Sequence, residues 1–398
     1  MSVVYVIGTC DTKEPELLYA RREIERTGAK TKLVDVSTGS TPSSAADISA
    51  PEVAHFHPGG EKSVLGLEDR GTAVAAMSEA LARFLAAQTD VGAVLGLGGS
   101  GNTSIVSAGM RALPIGIPKL MVSTLASGNV SPYVGPNDIA MMYAVTDVAG
   151  LNAISRKVIG NAAHAVAGMV LHATVDELAE RPTVGLTMFG VTTPCVTHIR
   201  TLIDRDHECF VFHATGIGGQ TMEKLVESKL LDTVIDITTT EVADFLFEGQ
   251  LPCTDDRFGA VIRTGIPYVG SVGALDMINF GPRASVPKKF DQRRFHIHNP
   301  QVTLMRTTTE ENRSIGKWIV ERLNSMPGPV RFLLPLRGVS ALDKDGQPFH
   351  DPEADDALFS AIRRDWISAP DRQLIEVDAH INDTAFATEV VEQFRRIA

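Results

Sequence analysis

The segment that most constrains this chain is an unbroken apolar run, VVYVIG, which passes straight into the polar turn TCDTKEP and then into ELLYARREIERTG. A strand that is apolar throughout is buried on both faces. Buried parallel strands return only through a helical crossover. Asp11 or Thr12 reads as the helix cap, Pro15 falls near the first turn, Gly28 ends the helix, and KTKLVDVS supplies the next strand. The fold class this predicts is α/β. Composition agrees: 44% hydrophobic, 21% charged, 34 glycines and few aromatics suit a protein rich in strand-to-helix turns.

The same unit recurs. Val74, Met77, Leu81, Phe84 and Leu85 mark a helix leading into VGAVLGLGGSGNTS, followed by a helix in SIVSAGMRALP and a strand in IPKLMVS. Leu151, Ile154, Val158, Ala162, Val166, Met169 and Val170 then line one face of a long helix between about residues 147 and 173. The polar DELAERP is the best domain boundary, giving domains 1–180 and 181–398. Beyond it TVGLTMFG, VTTPCV, THIRTLIDRD and HECFVFHATG repeat the opening order of strand, loop, helix and strand.

A chain of 398 residues with a formal charge of −11 has no general attraction for nucleic acid, which clustered Lys and Arg would have to supply. The N-terminus lacks a basic stretch, and its apolar run is too short for a signal peptide or a membrane span. A cytoplasmic location is therefore expected. Four cysteines without CxxC spacing indicate neither a zinc ribbon nor a disulfide framework.

In a doubly wound sheet, ligands sit off the carboxyl ends of the strands, where helix N-termini present unpaired N–H groups. Four loops are placed for this: GTCDTK, GLGGSGNTS, STLASGN and GVTTPCV. Gly96, Gly98 and Gly101 spell a dinucleotide fingerprint, but in a later strand than the first, and Ser123-Thr124 stand where a ribose-binding acid belongs. There is no GxxxxGK[ST] either. The glycines are left as a phosphate cradle or a tightly packed turn.

One helix N-terminus contributes roughly 0.3–1 kcal/mol toward an anion, and micromolar binding needs about 8 kcal/mol. A composite site is therefore required. Its candidates are Gly8, Thr9, Thr12, Gly98, Gly99, Ser100, Gly101, Asn102, Thr103, Ser123, Thr124, Ser127 and Gly128, with Lys13 as the cation. Asp11 either orients Lys13 and holds magnesium through water or simply caps the helix.

Cys195 occupies a loop equivalent to that of Cys10, so a thiol-dependent isomerase or racemase is a second reading, against that of small buried residues. His55 with His57, and His296 with His298, each fall on one strand face and permit a metal. Thr192, Thr193, Arg306, Arg337 and Ser340 are candidate substrate contacts; Arg306 could equally pair with Glu310, and Asp378 and Asp383 could merely cap turns.

Six stretches in order, GTCDTKEPEL, GLGGSGNTS, MFGVTTPCV, HNPQVTLMRTT, LPLRGVSALD and DAHIND, together resemble the Tm-like ATP-binding family. These are bacterial and fungal proteins related to the N-terminal region of the tomato mosaic virus resistance protein. The resemblance implies two Rossmann-like domains with mainly parallel sheets facing each other across a cleft, ATP and Mg2+ as ligands, and a homodimer. It carries the nucleotide site to Thr9, Asp11, Thr12, Lys13 and Gly98 through Thr103. The expected function is ATP binding coupled to phosphoryl transfer on a small metabolite in the cleft. The alternatives are thiol chemistry at Cys195 and an ATP-responsive interaction protein without turnover.

Overall fold

The computed structural model describes residues 2–39, 43–173 and 181–398. The chain divides into two compact units, Met1–Asp176 and Glu177–Ala398. Most of the polar stretch DELAERP lies outside the described residues.

In the first unit the strands are β1 (Val3–Gly8), β2 (Thr31–Asp35), β3 (Val91–Gly98), β4 (Lys119–Ser123) and β5 (Ile139–Tyr143). They form one parallel sheet in the order β2-β1-β3-β4-β5. Every residue of β1 is buried, as an unbroken apolar run requires, and so is every residue of β4, whose polar ends Lys119 and Ser123 are paired with Asp138 and Thr103. Leu17, Ala20 and Ile24 of the helix Cys10–Glu25 and Ile159, Ala162, Ala163 and Val166 of the helix Ala153–Leu171 share one core cluster. Met77, Leu81, Phe84 and Leu85 of the helix Arg70–Ala87 and Ile105, Val106 and Met110 of the helix Ser100–Ala112 share another. Val74 of the expected apolar stripe is only half-buried.

The second unit has β6 (Thr183–Met188), β7 (Glu208–His213), β8 (Thr233–Thr238), β9 (Tyr268–Gly273), β10 (Met277–Phe280), β11 (Phe295–Asn299), β12 (Val302–Arg306), β13 (Val330–Pro335) and β14 (Arg372–Val377). Six form a parallel sheet in the order β14-β13-β9-β8-β6-β7; β10, β12 and β11 form a separate antiparallel sheet. From its outer strand β7 inward the large sheet runs second, first, third, fourth, as the first unit does. Both units thus reverse winding direction beside their opening strand, between β1 and β3 and between β6 and β8. That point is where doubly wound sheets open a crevice.

The sequence expectations shift at three places. The helix expected at SIVSAGMRALP begins earlier, at Ser100, so the glycine-rich stretch is the end of a strand and the first turn of a helix rather than a free loop. The N-cap of the first helix is Thr9, so Asp11 and Thr12 lie inside its first turn, and Pro15 lies beyond that turn. His55 and His57 follow a short helix, Ala50–Ala54, instead of sharing a strand face.

Candidate functional site

A cavity of about 430 Å3 lies at the switch point of the first unit, off the ends of β1 and β3. Thr9, Asp11, Thr12 and Lys13 line it from one side, Gly99, Ser100, Gly101 and Asn102 from another, with Thr38, Arg70 and Asp147 completing the polar wall. Its size falls within the range of about 300–1,000 Å3 common for small-molecule sites.

The two helix N-termini at this cavity differ. At Cys10–Glu25 the first amides are already used: Cys10 N–H donates to Asp35 Oδ1 at 3.0 Å and Asp11 N–H to Ser37 Oγ at 3.1 Å, while Thr12 and Lys13 N–H turn back to the Thr9 carbonyl. Asp35, buried at the end of β2, thus caps the first helix through its side chain. At Ser100–Ala112 the N-cap is Gly99, which has no side chain to offer. The amides of Ser100, Gly101 and Asn102 donate to no partner among the described residues. An α-helix leaves such first-turn groups pointing out of its end.

The glycines separate by role. A Cβ on Gly96 would meet Met121 Sδ at 2.5 Å and Val106 Cγ1 at 2.6 Å, and one on Gly98, where φ is +156°, would meet Asn102 Cβ at 2.8 Å. Those two are packing glycines. A Cβ on Gly99 would meet nothing nearer than Thr124 Oγ1 at 3.8 Å, and one on Gly101 nothing nearer than Arg70 Nη2 at 3.5 Å and Val74 Cγ2 at 3.7 Å, both ordinary contacts. Open space therefore lies beside Gly99 and Gly101. Gly8 is also a packing position, against Leu17 and Asn102.

Several expected contacts are committed elsewhere. Thr103 Oγ1 and Ser123 Oγ bond to each other at 2.7 Å, fully buried, tying the helix to the end of β4. Thr124, Ser127 and Gly128 are not on the cavity wall. Arg70, which the sequence reading did not single out, is on that wall, and neither it nor Lys13 forms an ion pair or side-chain hydrogen bond among the described residues. It occupies the first position of its helix, behind the Asp69 cap. A cation there opposes the helix dipole, and that mismatch was the available sequence signal.

In the second unit the corresponding crevice is filled. Thr192 Oγ1, in the turn after β6, and Thr238 Oγ1, at the end of β8, bond at 2.8 Å. Thr193 turns its hydroxyl back to the Phe189 carbonyl. Asn382 Oδ1 accepts the Cys195 amide at 3.3 Å and its Nδ2 donates to the Val191 carbonyl at 2.9 Å. Nearby, the fully buried Arg257 binds Glu241 at 2.6 Å, Asp236 at 2.7 Å and Glu223 at 3.0 Å. Burial opposes its charge, but these carboxylates hold its proton well above the ordinary value. Burial also pushes the Glu223 carboxyl up to about 7.

The thiol reading is corrected by burial. Cys195 packs among Val196, Ile199 and Phe386, and desolvation raises its pKa far above that of a free thiol. Burial and then the Asp35 carboxylate push Cys10 up to about 12. Neither is a thiolate near neutral pH, because the apolar surroundings penalise the charged form more than a helix end favours it. Among the described residues no group of three or more His, Cys, Asp or Glu side chains is placed to hold a metal.

Arg306 also differs from both expectations. It is 3% exposed and binds Asp355 at 2.7 Å, the Phe349 carbonyl at 2.8 Å and Thr307 Oγ1 at 2.8 Å, while Glu310 pairs with Arg313. Ser340, also buried, donates to Asp276 Oδ2 at 2.7 Å. Neither is free to meet a substrate directly. Arg337 is exposed and held by Asp378 through two bonds of 2.7 and 2.8 Å. Asp378 is therefore a partner rather than a cap.

Comparison with known proteins places the chain. The N-terminal domain of an uncharacterised protein family, UPF0261, matches residues 2–174, and the family's C-terminal domain matches residues 181–398. A UPF0261 protein of Rhizobium meliloti is 56% identical over 399 residues, covering 100% of both chains. The ToMV resistance protein Tm-1 of Solanum lycopersicum is 42% identical over 420 residues, covering 99% of this chain and 56% of that protein. Among solved structures, UDP-N-acetylglucosamine 2-epimerase from Rickettsia bellii matches at 11% identity and a TM-score of 0.23, over 68% of this chain and 78% of that one, too slight a likeness to bear on the site. With both halves matched in order along nearly the whole sequence, the chain belongs to the uncharacterised protein family UPF0261.

Proposed function

We propose that the first unit binds ATP with magnesium at the switch-point cavity and that the protein uses it for phosphoryl transfer to a small metabolite. The observation that carries this reading is the set of donors without a partner among the described residues that line one cavity: the Ser100, Gly101 and Asn102 amides on one side, with Lys13 and Arg70 across from or beside them. Charged hydrogen bonds contribute roughly 1.5–3 kcal/mol each, so five such donors supply on the order of 8–15 kcal/mol gross, which brackets the micromolar requirement before binding costs. Asp11 and Asp147 add hard oxygen ligands to the lining of the same cavity. They would hold a magnesium ion, which when bound would offset phosphate charge. Lys13 and Arg70 hold phosphate oxygens in place, and the Gly99 position lets them approach the backbone. Catalysis of this kind rests on positioning and electrostatics.

Self-association as a dimer is part of the same reading and rests on the family likeness alone. No helix among the described residues is long and apolar enough to cross a membrane.

Calorimetry with ATP, with and without magnesium, is the test. Binding that strengthens with magnesium is expected, and no heat at millimolar ATP overturns the reading. A bound nucleotide with no phosphate release across a metabolite panel would leave binding in place and remove the transfer step.

A further inference from the structure

The second unit has its own cavity, of about 660 Å3, away from its filled switch point. It opens at the carboxyl ends of β13 and β14, where Arg337 and Gly338 follow one strand and His380 and Asp383 follow the other. Gly338 makes the turn possible: its φ is +118°, and a Cβ there would run into the Asp343 carbonyl and stand 2.9 Å from His380 Cδ2. The His380 ring is committed, with Nε2 donating to the Ser340 carbonyl at 2.8 Å and Nδ1 accepting the Asn382 amide at 3.1 Å. It is a fixed wall.

We propose that this cavity is a second binding site, for a small polyhydroxylated carboxylate, with Asp355 as the polar group on its wall.

Asp355 lines the cavity yet is only 7% exposed, and Arg306 holds it at 2.7 Å. Behind it stand Asp276 and Asp343, both with no exposure, so three buried carboxyl groups share a single guanidinium. Among the described residues Asp276 Oδ1 and Asp343 Oδ1 have no hydrogen-bond partner, Arg306 coming no nearer to Asp343 Oδ1 than 3.7 Å. A purely structural network normally satisfies its buried acceptors, and this one keeps more acceptors than donors. Burial and then Asp343, with which Asp355 also shares a hydrogen bond, raise the Asp355 carboxyl above its ordinary range, while Arg306 fixes its position on the cavity wall. His350 adds a buried Nδ1, also unpartnered, to the same wall.

The remaining lining sets the ligand class. Lys344 is exposed and forms no ion pair among the described residues, and Arg337 is held only by the exposed Asp378, a pair that water screens strongly. Both can take a carboxylate. Asp356, which Arg363 meets at 3.4 Å, and Asp383, whose Oδ2 accepts the His380 amide, supply further acceptors for hydroxyl groups; with Asp345 they balance the cations Arg337, Lys344 and Arg363, a lining that suits a singly charged, hydroxylated ligand better than a polyphosphate. The site is thus chemically distinct from the nucleotide cavity and stands or falls independently of it.

The test is calorimetry on the full chain at neutral pH with D-gluconate, D-glucarate and quinate as probes, and with D-glucose and acetate as partial ligands. A polyhydroxylated carboxylate is expected to bind, with glucose and acetate weaker by about tenfold or more, the loss of one charged or several neutral hydrogen bonds. Lys344→Ala and Asp356→Asn, both on the exposed rim, should each weaken that binding while leaving ATP affinity unchanged. If none of the three acids binds at millimolar concentration, or if both variants bind them as the parent does, the proposal is overturned. Asp355→Asn, checked for folding by circular dichroism, should bind more weakly; equal affinity removes Asp355 from the site.

Discussion

The two units share the strand order around their switch points and use the crevice in opposite ways. In the first, the helix after the third strand position begins at a glycine, and its first amides stay free. In the second, Thr192, Thr238 and Asn382 close the same region, with the Arg257 network beside it. Topology fixes where a crevice can open; side chains a few residues beyond the strand ends decide whether it does. The second unit opens its cavity instead two and three strands away, at β13 and β14.

The largest effect that would test this contrast is loss of the buried arginine. Arg257→Ala leaves Glu223, Asp236 and Glu241 without their shared cation and should destabilise the second unit by about 3–5 kcal/mol, read from urea unfolding. A loss below about 1 kcal/mol, the range of an exposed pair, would mean that the filled crevice is not a structural element.

Next come the glycines. Gly98→Ala should cost about 1–3 kcal/mol of stability through its backbone angle and the Asn102 contact. Gly99→Asp should leave the melting temperature nearly unchanged and abolish ATP binding by placing a carboxylate at the free amides. The reverse pattern would return Gly99 to packing and remove the first unit's cradle.

Lys13→Ala and Arg70→Ala should each weaken ATP by about tenfold or more, from roughly 1.5–3 kcal/mol per charged hydrogen bond. If Arg70→Ala alone has no effect, the cradle is formed by Lys13 and the amides.

A smaller effect concerns pH. Burial raises Asp355 to about 9 and Asp276 and Glu223 to about 7. A carboxyl raised in the folded state binds more protons there than in the unfolded chain. Its contribution is full below the unfolded value of about 4 and is lost as pH climbs through the folded one. Stability of the second unit should therefore decline from mildly acidic to mildly alkaline pH, and Asp355→Asn should flatten the upper part. A stability that rises over that interval would contradict the retained proton. Smallest of all, Cys195 should resist alkylation in the folded protein at pH about 8, since a protonated, buried thiol is inert.

Much of the fold could be read in the sequence because the opening strand of each unit is apolar throughout or nearly so: VVYVIG, TVGLTMFG and the helices after them fall where the pattern puts them. Strand β5 was not anticipated, since IAMMY is an edge strand with mixed exposure and no turn signal of its own. Of the candidate site, the Gly99–Asn102 and Thr9–Lys13 stretches were legible as loops following apolar strands. Arg70 and Asp147 were not, being delivered from crossovers far along the chain. The Asp276, Asp343 and Asp355 cluster was equally hidden, because nothing local links residues so widely separated until β9, β12 and β13 bring their ends together.

Asp35 gives the first unit's cavity a direction. By capping the first helix it places a carboxylate behind Thr9, while the opposite wall presents the free Ser100, Gly101 and Asn102 amides. In the proposed site a ligand with one highly charged end and one neutral end would lie with its charge at the Ser100 amides, Lys13 and Arg70 and its neutral part toward β2. The cavity is polarised before anything enters it, so orientation is selected by a residue that need never touch the ligand.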